Sequence, residues 1–153
     1  MKLRIPPNIR EIVPYPPGKP IDELRREHGL DRIVKLASNE NPLGPSPRAV
    51  RAMRSVLGGL HRYPDGSGYD LTRAISQKTG FAPDQVVLGN GSNEIIEFLV
   101  KALVEAGDEV ISSFPSFLMY QKFVQVRNGI NVVVPLKEMR HDLERIASSV
   151  TER

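Results

Sequence analysis

The chain of 153 residues contains no cysteine, which excludes disulfide bonds and thiolate-ligated metal sites. Its three histidines, His28, His61 and His141, are too dispersed along the sequence to predict a histidine-rich metal cluster. No apolar run is long enough to cross a bilayer, and the basic first residues are not followed by the apolar segment of a secretory signal. We therefore expect a cytoplasmic protein without a metal or a membrane partner.

A concentrated block of basic residues is also missing. The 21 lysines and arginines are interspersed among 18 acidic residues, and the formal net charge is only +3. Nucleic-acid-binding surfaces normally need basic side chains clustered on one face or in one stretch. We therefore predict no nucleic-acid partner. The length, with 40% hydrophobic residues, suits one globular domain that has a core.

Proline is abundant at the start, where six of the 13 prolines lie within the first 20 residues. Because proline has no N–H group to donate, this segment is predicted to be an extended arm that is poor in internal hydrogen bonds. Residues 21–30 then predict a short helix that ends near Gly29. Residues 33–37 resemble the beginning of a strand, which prolines interrupt after Asn41.

From residue 85 the hydrophobic pattern alternates between strands and helices. Residues 85–88 predict a short buried strand, and residues 92–104 repeat apolar side chains at helical spacing with only a narrow polar stripe, which predicts an almost wholly buried helix. Two more strands are predicted at 109–113 and 130–136, with helices after each of them. Strands separated by helices of this length indicate an α/β fold with a parallel sheet.

Gly89 and Gly91 lie between the first predicted strand and the helix that follows it. A hairpin turn is disfavoured because the residues after Gly91 have helical periodicity. A dinucleotide-binding loop would need a third glycine where Glu94 stands, and a Walker A loop would need a Gly-Lys pair. Two interpretations remain: a tight strand-to-helix connection, or a seat for a phosphate monoester at the helix N-terminus.

Phe117 follows the second predicted strand and would therefore lie at the carboxyl edge of the sheet, where open α/β sheets bind ligands. Considered alone, Phe117 is more simply explained as a core residue. A flat aromatic ring beside a phosphate seat is, however, the combination that a phosphorylated aromatic cofactor needs.

Five segments resemble, in order and spacing, the fold-type-I family of pyridoxal-phosphate-dependent aminotransferases. They are "VPYPPGKPIDEL", "LASNENPLGPSP", "RYPDGSGYDLTRAI", "VVLGNGSNEIIEFLVKALVEAGDEVI" and "FPSFLMY". Within that family the motifs are most similar to those of enzymes that act on L-histidinol phosphate. The resemblance implies pyridoxal 5'-phosphate as the cofactor and amino transfer between L-histidinol phosphate and 2-oxoglutarate in histidine biosynthesis.

The resemblance also assigns roles to individual residues. Gly91, Ser92 and Asn93 match the turn that binds the cofactor phosphate, and Phe117 matches the aromatic residue that stacks on the pyridine ring. Tyr63 matches a tyrosine that reaches the cofactor phosphate of the neighbouring subunit, which implies a homodimer with shared active sites. From the residues alone, Tyr63 could equally be a turn anchor.

Two further positions match the substrate pocket of the family. Tyr15 corresponds to a residue of the N-terminal arm at that pocket. Asn41, together with Asn39 and Glu40, corresponds to a loop near the pocket mouth, although polar side chains there could equally serve only to hold an irregular loop together.

The resemblance further implies that residues 1–35 form an N-terminal arm and short helix of the small domain, and that residues 36–153 form the first part of the cofactor-binding large domain. The Schiff-base lysine of the family is expected beyond residue 153, because none of the seven lysines present matches it. We therefore expect an N-terminal fragment that is inactive alone. Alternatives are an aromatic amino-acid aminotransferase, a threonine-phosphate decarboxylase, or a non-catalytic module that binds a phosphorylated ligand.

Overall fold

A computed structural model describes residues 3–15 and 18–153. Within these residues the regular elements are, in chain order, α1 (Pro7–Arg10), α2 (Ile21–His28), α3 (Pro47–Val56), α4 (Tyr69–Thr79), α5 (Ser92–Leu103), β1 (Glu109–Phe114), α6 (Met119–Val126), β2 (Ile130–Pro135) and α7 (Leu143–Ser148). No helix of the described residues is long and apolar enough to cross a membrane.

The chain divides into two compact units, one of Met1–Tyr15 with Asp70–Arg153 and the other of Pro16–Tyr69. Both strands and the helices α5 to α7 belong to the first unit, whereas α2 and α3 belong to the second. The domain boundary expected after residue 35 refers to the complete enzyme and stays a prediction.

β1 and β2 form a parallel pair whose register runs from Glu109 opposite Ile130 to Phe114 opposite Pro135. The helix α6 connects them, as parallel strands require a crossover. The α/β class predicted from the alternating pattern is thus confirmed. Beyond β2, the chain returns to the other edge of β1, where the Glu109 N–H donates to the Arg153 carbonyl at 3.2 Å.

The core of the first unit lies where α5 and α6 meet the sheet. Val100, Val104 and Val124 are its buried residues, and Val110 and Phe123 are among the side chains that pack against them. The loop before β2 passes close to this cluster. A Cβ atom at residue 129 would lie 3.0 Å from a methyl group of Val124 and 3.1 Å from one of Val104, which explains the glycine there.

In the first unit, two predictions about burial and strands are wrong. Residues 85–88 form no strand, although the backbone at Val86 is extended (φ −111°, ψ 119°), because a strand needs a hydrogen-bonded neighbour and no described residue supplies one. The helix α5 is not almost wholly buried, since Leu99 is 55% exposed and Leu103 73%. Among residues 3–15 and 18–153, no segment covers the part of α5 that carries Leu99 and Leu103.

The N-terminal arm is less extended than its prolines predict. Residues 7–10 form the helical turn α1, with proline in its first turn, where the missing N–H group costs nothing. The Asn8 side-chain amide donates to the carbonyls of Gln125 and Val126 at the end of α6, at 3.0 and 3.1 Å. Two of the arm's prolines, at positions 16 and 17, lie outside the described residues.

In the second unit, α2 confirms the short helix predicted at 21–30, and Gly29 ends it in the left-handed conformation (φ 61°). The helix α3 begins at Pro47, and the Ser46 side chain at its N-cap position makes no capping hydrogen bond. The strand-like start at 33–37 is wrong, because these residues form neither a ladder nor a helix.

Candidate functional site: an open helix N-terminus and a neighbouring aromatic pair

The turn before α5 takes its shape from Gly91, which occupies the N-cap position with φ 81° and ψ 177°. Only glycine adopts such a conformation without steric cost. The Gly91 N–H donates back to the Gly89 carbonyl at 2.9 Å, so the chain turns tightly into the helix. The glycines therefore make the tight connection into the helix that is one of the two interpretations of the sequence. The second interpretation, a seat for a phosphate, requires that backbone N–H groups of the turn also remain free.

Ser92 and Asn93 are the first two residues of α5, so their backbone N–H groups have no acceptor within the helix. Among the described residues, no loop carbonyl and no side-chain acceptor bonds to them. Gly91, Ser92 and Asn93 are all exposed. The positive end of the helix dipole and the Ser92 hydroxyl add to these donors, so the residues present fit a phosphate group.

Glu94 is a residue of this turn whose role the sequence analysis missed. Its Oε2 atom accepts hydrogen bonds from the Asn90 backbone N–H at 2.6 Å and from the Asn90 side-chain amide at 3.0 Å. The carboxylate therefore reaches back to the residue before the cap. A glutamate three residues after a helix cap is a known signal for a contact with the backbone N–H of the cap residue, and here the carboxylate reaches one residue further back.

Phe117 follows β1 by three residues and is 39% exposed, so its ring is not enclosed in the core. Its ring meets that of Tyr120 edge-on, with centroids 6.0 Å apart and an interplanar angle of 88°. In such an edge-to-face contact one ring covers at most one face of the other, so at least one face of the Phe117 ring is free of Tyr120.

A cleft of about 350 Å³ lies beside this aromatic pair and is lined by Ser112, Ser113, Tyr120 and His141, among others. The buried Ser113 hydroxyl and His141 Nδ1 lie 2.7 Å apart. Sequence analysis did not single out either residue, because they are 28 positions apart and belong to no motif. Their contact depends on how the chain after β2 folds back onto β1.

Tyr15 belongs to the same unit as α5 and is 47% exposed. The arm before it is held to α6, because the Lys122 ammonium group donates to the Val13 carbonyl and Asn8 bonds to the end of that helix. Tyr15 is therefore exposed at the end of a segment that hydrogen bonds attach to α6.

Tyr63 and Asn41 belong to the second unit. The Tyr63 side chain is fully exposed. Asn41 accepts from the Leu43 N–H at 3.1 Å and donates to the Gly44 carbonyl at 3.2 Å, so its side chain holds its own loop in shape. That Asn41 borders a substrate pocket stays a prediction.

Asp65 organises the loop between Tyr63 and α4. Its carboxylate accepts from the Ser67 backbone N–H at 2.9 Å, from the Tyr69 backbone N–H at 3.0 Å and from the Ser67 hydroxyl. These donors, with the Ser67 N–H first, hold the pKa of the Asp65 carboxyl below its ordinary value. Sequence analysis missed this residue too, although an aspartate before Gly-Ser is a recognised turn signal.

Residues 31–153 match the family model described as aminotransferase class I and II. The chain belongs to this family. Two bacterial histidinol-phosphate aminotransferases are similar to it: that of Desulfotalea psychrophila is 60% identical over the whole chain, and that of Anaeromyxobacter is 45% identical over 97% of the chain. The chain spans only 40% and 41% of the lengths of these two relatives.

Solved structures give the same result. Histidinol-phosphate aminotransferase from Sinorhizobium meliloti, in complex with pyridoxal-5'-phosphate, matches 96% of the chain with a TM-score of 0.83 and 28% identity, over 39% of its own length. Aspartate aminotransferase from Thermotoga maritima matches 96% of the chain with a TM-score of 0.74 and 26% identity, over 42% of its own length. The cofactor expected from the sequence is thus the one that the first of these structures contains.

Proposed function

We propose that this family member binds pyridoxal phosphate through the turn before α5 and contributes that turn to a histidinol-phosphate aminotransferase. The observation that carries the proposal is the open N-terminus of α5, where the N–H groups of Ser92 and Asn93 are exposed and have no acceptor among the described residues. Such donors suit a phosphate monoester. The expected partners are therefore a phosphorylated cofactor and small-molecule substrates.

Each residue of the proposed site has a physical task. Gly91 shapes the turn, the Ser92 hydroxyl and the backbone N–H groups bind the phosphate, and the exposed face of Phe117 orients the pyridine ring by stacking. Pyridoxal phosphate, when bound, supplies the electron-withdrawing ring that amino transfer requires. The chain's own contribution is therefore binding and orientation.

The proposed reaction of the complete enzyme is amino transfer between L-histidinol phosphate and 2-oxoglutarate. The names of the relatives from Desulfotalea psychrophila and Anaeromyxobacter support this assignment, and the 60% identity to the first supports it most. Tyr15, exposed at the end of the anchored arm, is proposed as a substrate contact.

We expect no turnover from residues 1–153 alone. The reaction needs a lysine that holds the cofactor and moves a proton. Among the described lysines, Lys101 is paired with Glu97 at 2.6 Å, Lys35 with Glu40 at 2.6 Å, and Lys122 bonds the arm. Measurement of glutamate-dependent amino transfer with added pyridoxal phosphate should give no rate above a protein-free control, and a clear enzymatic rate would contradict the expectation.

The complete enzyme is proposed to be a homodimer in which Tyr63 contacts the phosphate of the neighbouring subunit's cofactor. A fully exposed tyrosine, with no packing role in its own unit, is compatible with this task. In the dimeric holoenzyme, Tyr63→Phe should weaken binding of pyridoxal phosphate and leave binding of pyridoxal unchanged. An equal effect on both ligands would contradict a phosphate contact.

Calorimetric titration of the chain with pyridoxal phosphate and with pyridoxal tests the binding site itself. Pyridoxal lacks only the phosphate, so we expect it to bind at least about tenfold more weakly, the value of one lost charge-assisted hydrogen bond. Ser92→Ala should weaken the binding of pyridoxal phosphate alone, whereas Phe117→Ala should weaken the binding of both ligands. Equal affinity of the unsubstituted chain for the two ligands would overturn the proposal.

A further inference from the structure

The Glu94 carboxylate turns away from the first free N–H groups of α5 and toward the turn before the helix. One oxygen, Oε2, receives both the backbone N–H of Asn90 at 2.6 Å and its side-chain amide at 3.0 Å. Hydrogen bonds to a charged acceptor are among the stronger ones in proteins. Because both donors belong to one residue, this contact fixes the position of Asn90 relative to the helix.

The residues on either side of Asn90 are constrained as well. A Cβ atom at Gly89 would lie 2.8 Å from Ile95 Cδ1 and 3.2 Å from Glu94 Oε2, so the backbone there lies directly against the first turn of α5. The Gly91 N–H is bonded to the Gly89 carbonyl at 2.9 Å. The Glu94 contact thus holds the middle residue of a turn whose two ends are already joined.

The charge of Glu94 and the geometry of its contact have opposite consequences for an anion. A negative charge in this turn repels a phosphate. The acceptor geometry, in contrast, holds the turn in the form that presents the N–H groups of Ser92 and Asn93 outward. What a phosphate needs from this side chain is therefore an acceptor of the right length, and its charge is dispensable.

We propose that Glu94 is a positioning residue of the phosphate seat, which acts by holding Asn90 through a side-chain acceptor. The inference rests on the proposed function, since the seat is assigned there to the phosphate of pyridoxal phosphate. It deepens that function, because it identifies the side chain that preorganises the backbone donors without contacting the ligand.

Two conservative substitutions separate acceptor geometry from charge. Glu94→Gln keeps the length and one carbonyl acceptor but removes the charge, so the affinity for pyridoxal phosphate should stay within about twofold or rise. Glu94→Asp keeps the charge but is one methylene shorter and cannot reach both donors, so the affinity should fall about tenfold. Glu97→Asp, the same change one turn further along α5, is the matched control and should change nothing.

Binding is measured by calorimetry on the 153-residue chain, with pyridoxal as the ligand that lacks phosphate and thermal unfolding as the check on folding. The affinity for pyridoxal should be the same for all variants. Loss of affinity in Glu94→Gln equal to that in Glu94→Asp would overturn the inference, and so would an unchanged affinity in Glu94→Asp or an equal loss for both ligands.

Amide hydrogen exchange without any ligand tests the contact independently of the proposed function. Glu94→Asp should speed exchange of the Asn90 backbone N–H about tenfold, while Glu94→Gln should leave that exchange near the original rate. If the unsubstituted chain showed no preference for pyridoxal phosphate, the proposed function would fail, and these exchange rates would still decide whether Glu94 holds the turn. Equal exchange in all variants would overturn the inference itself.

Discussion

Two loops of this chain contain glycine and serine and lead into a helix, yet they differ in whether the chain itself satisfies the backbone N–H groups near the start of that helix. In the loop before α4, the carboxylate of Asp65 accepts the backbone N–H groups of Ser67 and Tyr69, so the chain satisfies these donors itself. In the turn before α5, the nearby carboxylate of Glu94 instead bonds Asn90. The N–H groups of Ser92 and Asn93 consequently remain available.

The difference shows that glycine content does not distinguish a loop whose N–H groups are satisfied from the turn that we propose as a phosphate seat. What matters is where the nearest acidic side chain stands. An aspartate before the helix folds forward onto the helix N-terminus, whereas a glutamate at the third helical position folds backward. The direction of one carboxylate therefore decides whether the backbone N–H groups near it are satisfied from within the chain.

The largest effect should come from Gly91→Val. Essentially only glycine occupies the region at φ 81° and ψ 177°, where another residue costs about 1–3 kcal/mol, so the turn should adopt another conformation with valine. We expect affinity for pyridoxal phosphate to fall at least about tenfold, as measured by calorimetry. The matched control is Gly66→Ala in the other loop, where φ is not left-handed and an added Cβ meets open space. A similar loss in both variants would contradict the comparison.

A smaller effect is expected when the closed loop is opened. Asp65→Ala removes the acceptor of the Ser67 and Tyr69 N–H groups, so their amides should exchange with solvent several-fold faster, about the effect of losing a helix cap. Binding of pyridoxal phosphate within one protomer should be unchanged, because the donors of the proposed seat belong to the turn before α5 and Tyr63 is proposed to act only on the cofactor of the neighbouring subunit. A substantial loss of binding would show that the two loops do not act independently.

The smallest effect concerns pH. The Ser67 and Tyr69 N–H groups lower the pKa of Asp65 in the folded chain, so the loop is stabilised above the ordinary pKa of the carboxyl and loses this stabilisation as the pH falls through the folded value. Carbon NMR of the Asp65 carboxyl should give a midpoint below 3.8, the ordinary value. Ser67→Ala, which removes the hydroxyl donor, should move the midpoint up. A midpoint at or above 3.8 in the unsubstituted chain would contradict the closed form of the loop.

Sequence analysis succeeded where structure depends on neighbouring residues. The helix α5 was predicted from the helical spacing of its apolar residues, and β1 and β2 from the alternation of strand and helix patterns. It failed at residues 85–88 and in the burial of α5, because pairing and burial depend on which other segments lie alongside.

The proposed site shows the same division. The turn from Gly91 to Asn93 could be predicted as an anion seat, because a helix N-terminus exposes N–H groups whatever surrounds it. The sequence alone could not decide whether the Asn41 side chain only holds its own loop together or also borders a substrate pocket. The contacts of Glu94 and Asp65 join residues within four positions of one another, so the sequence contains local signals for both.

The sequence alone determined the α/β class, the position of α5, the glycines before it and the resemblance to aminotransferases, because periodicity, backbone preference and motif order are properties of the chain itself. Only the tertiary structure decided that the arm is held to α6 through Asn8 and that the Ser113 hydroxyl lies beside His141, because the partners in each contact are far apart in the sequence. Each of these depends on the direction of a side chain and on which partner lies within about 3 Å of it, the length of a hydrogen bond.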